Sequence, residues 1–512
     1  MILDYAILII YALSMVGIAV YTRNRSKSVN DFLLAGKRGL GGWMSAFSYG
    51  TTYFSAVIFI GYAGKFGSEY GLAAIWIGVA NAFVGATLAW IILARRTKNM
   101  TARLSAKTMP EFFERRFGGK NLKLVSAIVV FVFLIPYSAS VYNGLSNLFE
   151  AVFGIPGWVI MVALASLTAL YLFFGGYFAT ALSDFIQGII MLVGVAMMVF
   201  CFLNHENVSW DLSKLTSNPE LNWITFGSEK GGIYGHTSSL LSLVLLTSFG
   251  VFALPQTIHK YYAIRDRRAI KQGTVVSTAF ALIIGFGAYF VGGLSGLFPE
   301  TAALGGDDII PYMLVKVIPT GLMGVIAVLI LSASMSTLAS VSLSSASVVA
   351  IDIYKGKINP RASDKRTNTV MRALCLVFVA ISVGIAVLNR AFGITAIAYM
   401  MGISWGTLAG CFIGPFVLGV CWKRVTRPAV WASIISSLTL TVGLIVFFGF
   451  DKMNYSCSFG EAIGAGISCS PMIGVICMAA SMIITVAISL FTKAPSDEMI
   501  EEAFSRKIEN EV

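Results

Sequence analysis

The sequence has little charge, almost no histidine and no regular cysteine spacing. Of its 512 residues, 12% are charged against 57% hydrophobic, and mean hydropathy is +0.80. A soluble domain cannot hide that much apolar surface, so the chain reads as an all-α polytopic membrane protein embedded in a lipid bilayer. Three His and seven scattered Cys leave no metal-ligand spacing. A membrane enzyme needs convergent His, Asp, Glu or Cys at membrane depth, and none is visible, so neither catalysis nor an organic cofactor is expected. The net charge of +12 would suit nucleic acid, but the basic residues sit in short loops between apolar runs, which excludes that partner. Cys201, Cys375, Cys411, Cys421 and Cys477 lie in apolar runs as packing residues. Cys457 and Cys469 share one loop and can pair if that loop faces an oxidising side.

What is present is a long series of apolar runs. Thirteen approach membrane-spanning length: 3–22, 40–64, 71–94, 124–148, 155–175, 182–203, 237–259, 274–298, 318–351, 371–389, 394–421, 429–449 and 471–491. Asp4 precedes the first run, while Arg23, Arg25 and Lys27 follow it, the reverse of a signal peptide, so this helix is expected to be retained. The loops Arg23–Arg38, Arg95–Lys123, Lys260–Lys271, Lys355–Arg372 and Lys423–Arg427 are basic. Those between carry Glu206, Asp211, Glu220 and Glu229, or Glu300, Asp307 and Asp308. With thirteen spans every basic loop falls on one side. The positive-inside rule then predicts a plasma-membrane protein with its N-terminus outside and its C-terminus cytoplasmic.

Runs two to six and seven to eleven read as two five-helix halves of opposite orientation, since an odd number inverts the second copy. The expected organisation is 1–39 for the first helix and its loop, 40–203 for the first repeat, 204–236 for an external loop, and 237–421 for the second repeat. Two flanking helices occupy 422–492, and 493–512 forms a cytoplasmic tail with at most an amphipathic helix over Asp497–Ile508. Each half opens with a breakable helix. Ser48-Tyr-Gly-Thr-Thr-Tyr53 interrupts the second run, and Gly250 with Leu254-Pro-Gln256 interrupts the seventh. Either alone reads as a simple kink, but matched breaks in two halves point to a midplane binding site in secondary transporters.

One further run stands out. Leu331-Ser-Ala-Ser-Met-Ser-Thr-Leu-Ala-Ser340 continues as Val-Ser-Leu-Ser-Ser-Ala-Ser347. At 3.6 residues per turn, Ala333, Ser336, Thr337, Ser340, Ser344 and Ser347 share a stripe. Small hydroxylated residues let membrane helices pack closely, and equally offer the neutral oxygens that hard cations take.

The stretch Ala333-Ser-Met-Ser-Thr-Leu338, ending in Ile351-Asp-Ile-Tyr354, resembles the sodium/solute symporter family of proline, pantothenate and sodium/glucose carriers. So do Asp31-Phe-Leu-Leu-Ala-Gly36, Tyr53 to Gly64, and Gly175-Gly176 with Asp184-Phe-Ile-Gln187. The resemblance covers the first to the eleventh run and implies a leucine-transporter-like fold of inverted five-helix repeats with flanking helices. It also implies one Na+ as coupling ion, held by backbone carbonyls of Thr51, Phe54 and Ala333 and by the side chains of Ser336 and Thr337. Asp184 and Ser340 match a second cation site that some members carry, but Ala339 stands where a further hydroxyl occurs. An acid inside a membrane helix marks an ion path or gate, or else a solvated helix start; Asp184 fits both, lying a turn from the cytoplasmic end of its run.

Tyr53 and Ser55 beside the first break, Phe252 and Gln256 beside the second, and Tyr137, Tyr142 and Asn143 on the fourth run line the expected substrate pocket. Tyr399 and Trp405 close it from the eleventh. Each aromatic alone is a packing residue as readily as a ligand. The sugar-binding members have Asn, Tyr and Trp where this chain reads Ser248-Phe-Gly-Val-Phe-Ala-Leu-Pro-Gln256, which disfavours a sugar. The expectation is a monomeric sodium-coupled symporter importing a small amino acid or organic acid such as proline or pantothenate. A sugar or sialic-acid-type symporter, a passive channel and a transporter-like sensor are the alternatives, the last disfavoured by the short tail.

Overall fold

A computed structural model describes residues 2–23, 28–34, 39–211, 213–216, 236–393 and 396–505. Glu220 and Glu229 of the acidic loop, Arg25, Lys27 and Arg38 of the first basic loop, and the tail beyond Ser505 lie outside the described residues. Among the described residues the secondary structure is helical, apart from one isolated bridge between Leu40 and Ile264.

Among the described residues, eleven helical stretches are long and apolar enough to cross a membrane. Two of them are double. Val57–Arg103 turns at Gly71 (φ 57°), and Gly157–Asn204 turns at Gly176 (φ 59°, ψ −157°). These are backbone angles that glycine adopts without a Cβ penalty. A Cβ at Gly176 would also stand 2.7 Å from the Phe32 ring. Divided at these turns, the eleven stretches give thirteen segments, the number of apolar runs in the sequence. The tail helix is shorter than expected, ending at Phe504.

Both expected breaks are present, shifted by a residue or two. Helix Gly42–Tyr53 ends where Phe54 is extended (φ −90°, ψ 101°), and the span resumes at Val57. Helix His236–Gly250 gives way to a turn, Leu254 is extended, and Pro255 opens Pro255–Tyr262. Pro suits that first helical position because it has no N–H to leave unpaired. Hydroxyls satisfy the freed backbone groups, as membrane depth demands. The Ala56 N–H donates to Ser334 Oγ (3.2 Å) and the Val57 N–H to Ser55 Oγ (3.2 Å), while Thr257 Oγ1 sits 2.9 Å from the Val251 carbonyl and 2.8 Å from that of Leu254.

The ninth span begins with Met323–Ser347, which is buried on every face except at Val325. It packs chiefly on Gly157–Asn204 and on the fourth span, Lys120–Phe153. The first span, Ile2–Thr22, also leans on it: Asp4 Oδ1 accepts from the Gly324 N–H at 2.8 Å. The outer half of the broken second span lies backbone-to-backbone on the eighth, where a Cβ at Gly67 would meet the Gly292 carbonyl carbon at 2.3 Å. All seven cysteines are free, including Cys457 and Cys469, so the pairing allowed by their shared loop is not made.

Candidate functional site

The first break and the serine-rich helix face each other at the centre of the molecule. Ser336 Oγ lies 2.9 Å from the Thr51 carbonyl and 2.9 Å from that of Ala333. Thr337 Oγ1 lies 3.3 Å from the Thr51 carbonyl and 3.1 Å from Ala333's. Four of the five oxygens expected to converge therefore do so, and all four residues are fully buried. Phe54 adds the extended backbone of the break; the Ile58 and Phe59 N–H groups both turn to the Ser55 carbonyl. Neutral oxygens at such spacing suit a small monovalent cation that must bind and then leave.

One helical turn further along, the second expected pair is bridged by Lys260. Asp184 Oδ2 accepts from Ser48 Oγ at 2.6 Å and from Lys260 Nζ at 3.3 Å, and Lys260 Nζ donates to Ser340 Oγ at 2.8 Å and to Ser48 Oγ at 2.9 Å. Ser340 Oγ in turn lies 3.1 Å from Thr52 Oγ1. Asp184 is wholly buried, which corrects the reading of it as a solvated helix start. Lys260 is a second correction. It lies inside helix Pro255–Tyr262 and is 2% exposed, so it is not a loop charge marking topology. Lys123 is likewise drawn in, 2.9 Å from Glu114 and 3.5 Å from the buried Asp352.

The expected pocket residues are buried, apart from the half-buried Tyr399, but they do not form one group. Tyr137 stacks edge-on against Trp405 (ring centroids 5.6 Å apart), and its hydroxyl lies toward Ser55 and Thr337 without making a hydrogen bond of full geometry. Trp405 also abuts the second break, its Cε3 3.7 Å from where a Gly250 Cβ would stand. Gln256 keeps both amide atoms buried and unpartnered, as Trp405 keeps its indole nitrogen. Tyr53 turns away into an aromatic cluster with Tyr49 (5.6 Å) and Phe54 (4.6 Å), while Phe252 packs on Phe249 (5.8 Å). Asn143 faces Met400, and Tyr399 lies further out, under the Lys65 ammonium at 5.0 Å. Ser248 and Ser334 escaped the residue-by-residue reading; Ser248 Oγ is buried and unpartnered at the second break, and Ser334 caps the first.

Two opposed helix breaks beside a fully buried hydroxylated helix define a secondary transporter with the leucine-transporter-type fold. The same architecture is found in a sodium-coupled sialic acid symporter solved in a substrate-bound, outward-open state. It aligns over 96% of this chain and 99% of its own with a TM-score of 0.73 at 19% identity. Mhp1, a nucleobase-cation-symport-1 family transporter, aligns over 93% and 98% with a TM-score of 0.51 at 12% identity. Residues 32–436 match the model of the sodium:solute symporter family, and the chain belongs to that family. It is 27% identical over 444 residues to the osmoregulated proline transporter OpuE of Bacillus subtilis, covering 85% of this chain and 87% of the relative. It is 26% identical over 467 residues to a sodium/pantothenate symporter of Haemophilus influenzae, covering 88% and 93%.

Proposed function

We propose that this chain imports a small amino acid or organic acid of the proline or pantothenate kind together with sodium, by alternating access across the plasma membrane. The observation that carries the reading is the convergence of the Thr51 and Ala333 carbonyls with the Ser336 and Thr337 hydroxyls at 2.9–3.3 Å. Sodium seated there, with Phe54 as fifth ligand, would tie the broken second span to the ninth. The solute would lie beside it, between Tyr137, Trp405, Ser55 and Gln256, where buried polar atoms await partners. Tyr137 faces both places and is the natural link between ion and solute. Support for the acid or amino acid comes from the kinds of relatives matched and from the Pro255 break, which replaces the polar aromatic run of sugar carriers. The chain works as a monomer in this reading, with its N-terminus outside and its C-terminus in the cytoplasm.

Inward movement of one sodium through ~100 mV contributes about 2.3 kcal/mol, and a tenfold sodium gradient adds about 1.4 kcal/mol. Together these sustain roughly a several-hundred-fold solute gradient. Proteoliposomes offered labelled proline, pantothenate and glucose under an imposed sodium gradient test the proposal. Accumulation of one of the first two, abolished when sodium is replaced by choline, is expected. Uptake that only equilibrates would make the chain a passive pathway.

A further inference from the structure

Lys260 carries a charge into the centre of a membrane protein, where an unpaired ammonium costs several kcal/mol. Its side chain is 3% exposed and that of its partner Asp184 is 0% exposed. An ammonium group has three protons, and here each has an oxygen: Ser340 Oγ at 2.8 Å, Ser48 Oγ at 2.9 Å and Asp184 Oδ2 at 3.3 Å. The Tyr177 ring covers it at 5.1 Å, and His259, which lies edge-on to Tyr177, is the neighbouring titratable group. Those oxygens come from the second, sixth and ninth spans, while the lysine comes from the seventh. Ser340 is one turn from Ser336 and shares a hydroxyl contact with Thr52, the residue after Thr51. Asp184 Oδ1 is also buried, without a partner of its own.

A carboxylate with two hydroxyls is a hard-oxygen set that a small monovalent cation takes, and an ammonium takes the same set through its protons. We propose that the Lys260 ammonium is a tethered cation filling a second cation site, so that the chain binds one sodium where the untethered cluster would bind two. This rests on the Ser336–Thr337 sodium site proposed above. Mere fold stabilisation is a weaker account of the pair, because apolar residues of similar volume generally stabilise as well or better. A tethered charge supplies something apolar packing does not. It neutralises Asp184 in every state of the cycle without drawing on external sodium.

Equilibrium binding of radioactive sodium to the purified full chain tests this without knowledge of the solute. The wild type should saturate at one sodium per chain, with Ser336→Ala abolishing or severely weakening it. Lys260→Met should double the saturation value to two and make binding sigmoidal or biphasic. Lys260→Ser, which is smaller and adds an oxygen, should do the same if the Met variant does not fold. Adding Asp184→Asn to either should return the value to one, and Lys260→Arg should stay at one. A wild type that already binds two sodium ions overturns the inference, whether or not any variant folds. So do lysine-free variants that stay at one because Asp184 takes up a proton instead. No binding to the wild type at all would remove the sodium site proposed above, and this inference with it.

Discussion

Two clusters one turn apart on the serine-rich helix look alike in sequence and differ in physics. At Ser336 and Thr337 the hydroxyls meet backbone carbonyls; at Ser340 the hydroxyl meets that of Thr52 and the Lys260 ammonium, which Asp184 pairs. The hydroxyls of the neutral cluster donate to carbonyls and can turn toward an arriving ion, so at the sodium site proposed above occupancy would follow sodium concentration. A closed ion pair is satisfied already. On the reading proposed above, a fixed charge beside an exchangeable one would let a single helix serve both folding and coupling, depending on which neighbour faces each turn.

The largest expected effect comes from breaking the closed cluster. Asp184→Ala strands the Lys260 ammonium, and removal of one partner of a buried pair costs about 3–5 kcal/mol. A marked fall in the thermal midpoint of the purified protein is expected, and an unchanged midpoint would mean water reaches Lys260. Next comes the neutral cage. Loss of one of five oxygens in Ser336→Ala or Thr337→Ala should weaken sodium by ~2–3 kcal/mol, which raises the sodium needed for half-maximal uptake some 30- to 100-fold or more. Apparent solute affinity should fall with it at fixed sodium and recover as sodium is raised, because linkage is reciprocal. Equal stability losses in both sets of variants, with no change in sodium dependence, would dissolve the distinction between the clusters.

Tyr137→Phe is expected to act more gently. It removes a hydroxyl that faces Ser55 and Thr337 while leaving the ring on Trp405. A hydrogen bond is worth about 1 kcal/mol net, so solute KM should rise roughly fivefold, with sodium dependence shifted in the same sense. An effect on solute alone would place Tyr137 outside the link between the two sites. The smallest effects belong to Ser332→Ala and Ser342→Ala, whose buried hydroxyls make none of the hydrogen bonds that hold either cluster. Hydrogen bonds between membrane helices average well under about 1 kcal/mol, so sodium titration of uptake should be unchanged in both.

How much of this was legible in the sequence follows from the range of the interactions. The serine stripe and the two breaks are local, set by helical periodicity, proline and glycine. The structure keeps both breaks and brings Ser336 and Thr337 onto Thr51. The apolar runs are local too and recur as helices, although Gly71 and Gly176 hide two turns inside continuous helical stretches. Lys260 was misplaced because a lone lysine at the end of an apolar run has the composition of a loop charge. Only the partner brought from 76 positions earlier in the chain shows that it is a core residue. Tyr53 shows the converse: adjacency to a break says nothing of which way a ring turns, and this ring packs against Tyr49.

The burial of Met323–Ser347 on almost every face has a mechanical consequence. A rod gripped along its whole circumference cannot rotate or slide without tearing contacts on all sides at once, so this helix serves as the axle. In the alternating access proposed above, the part to swing would be the short, jointed second span, broken at Phe54 and lying on a glycine-to-glycine contact where Gly67 meets Gly292. At the sodium site proposed above, letting go of the ion would then mean withdrawing the Thr51 carbonyl from a stationary pair of hydroxyls.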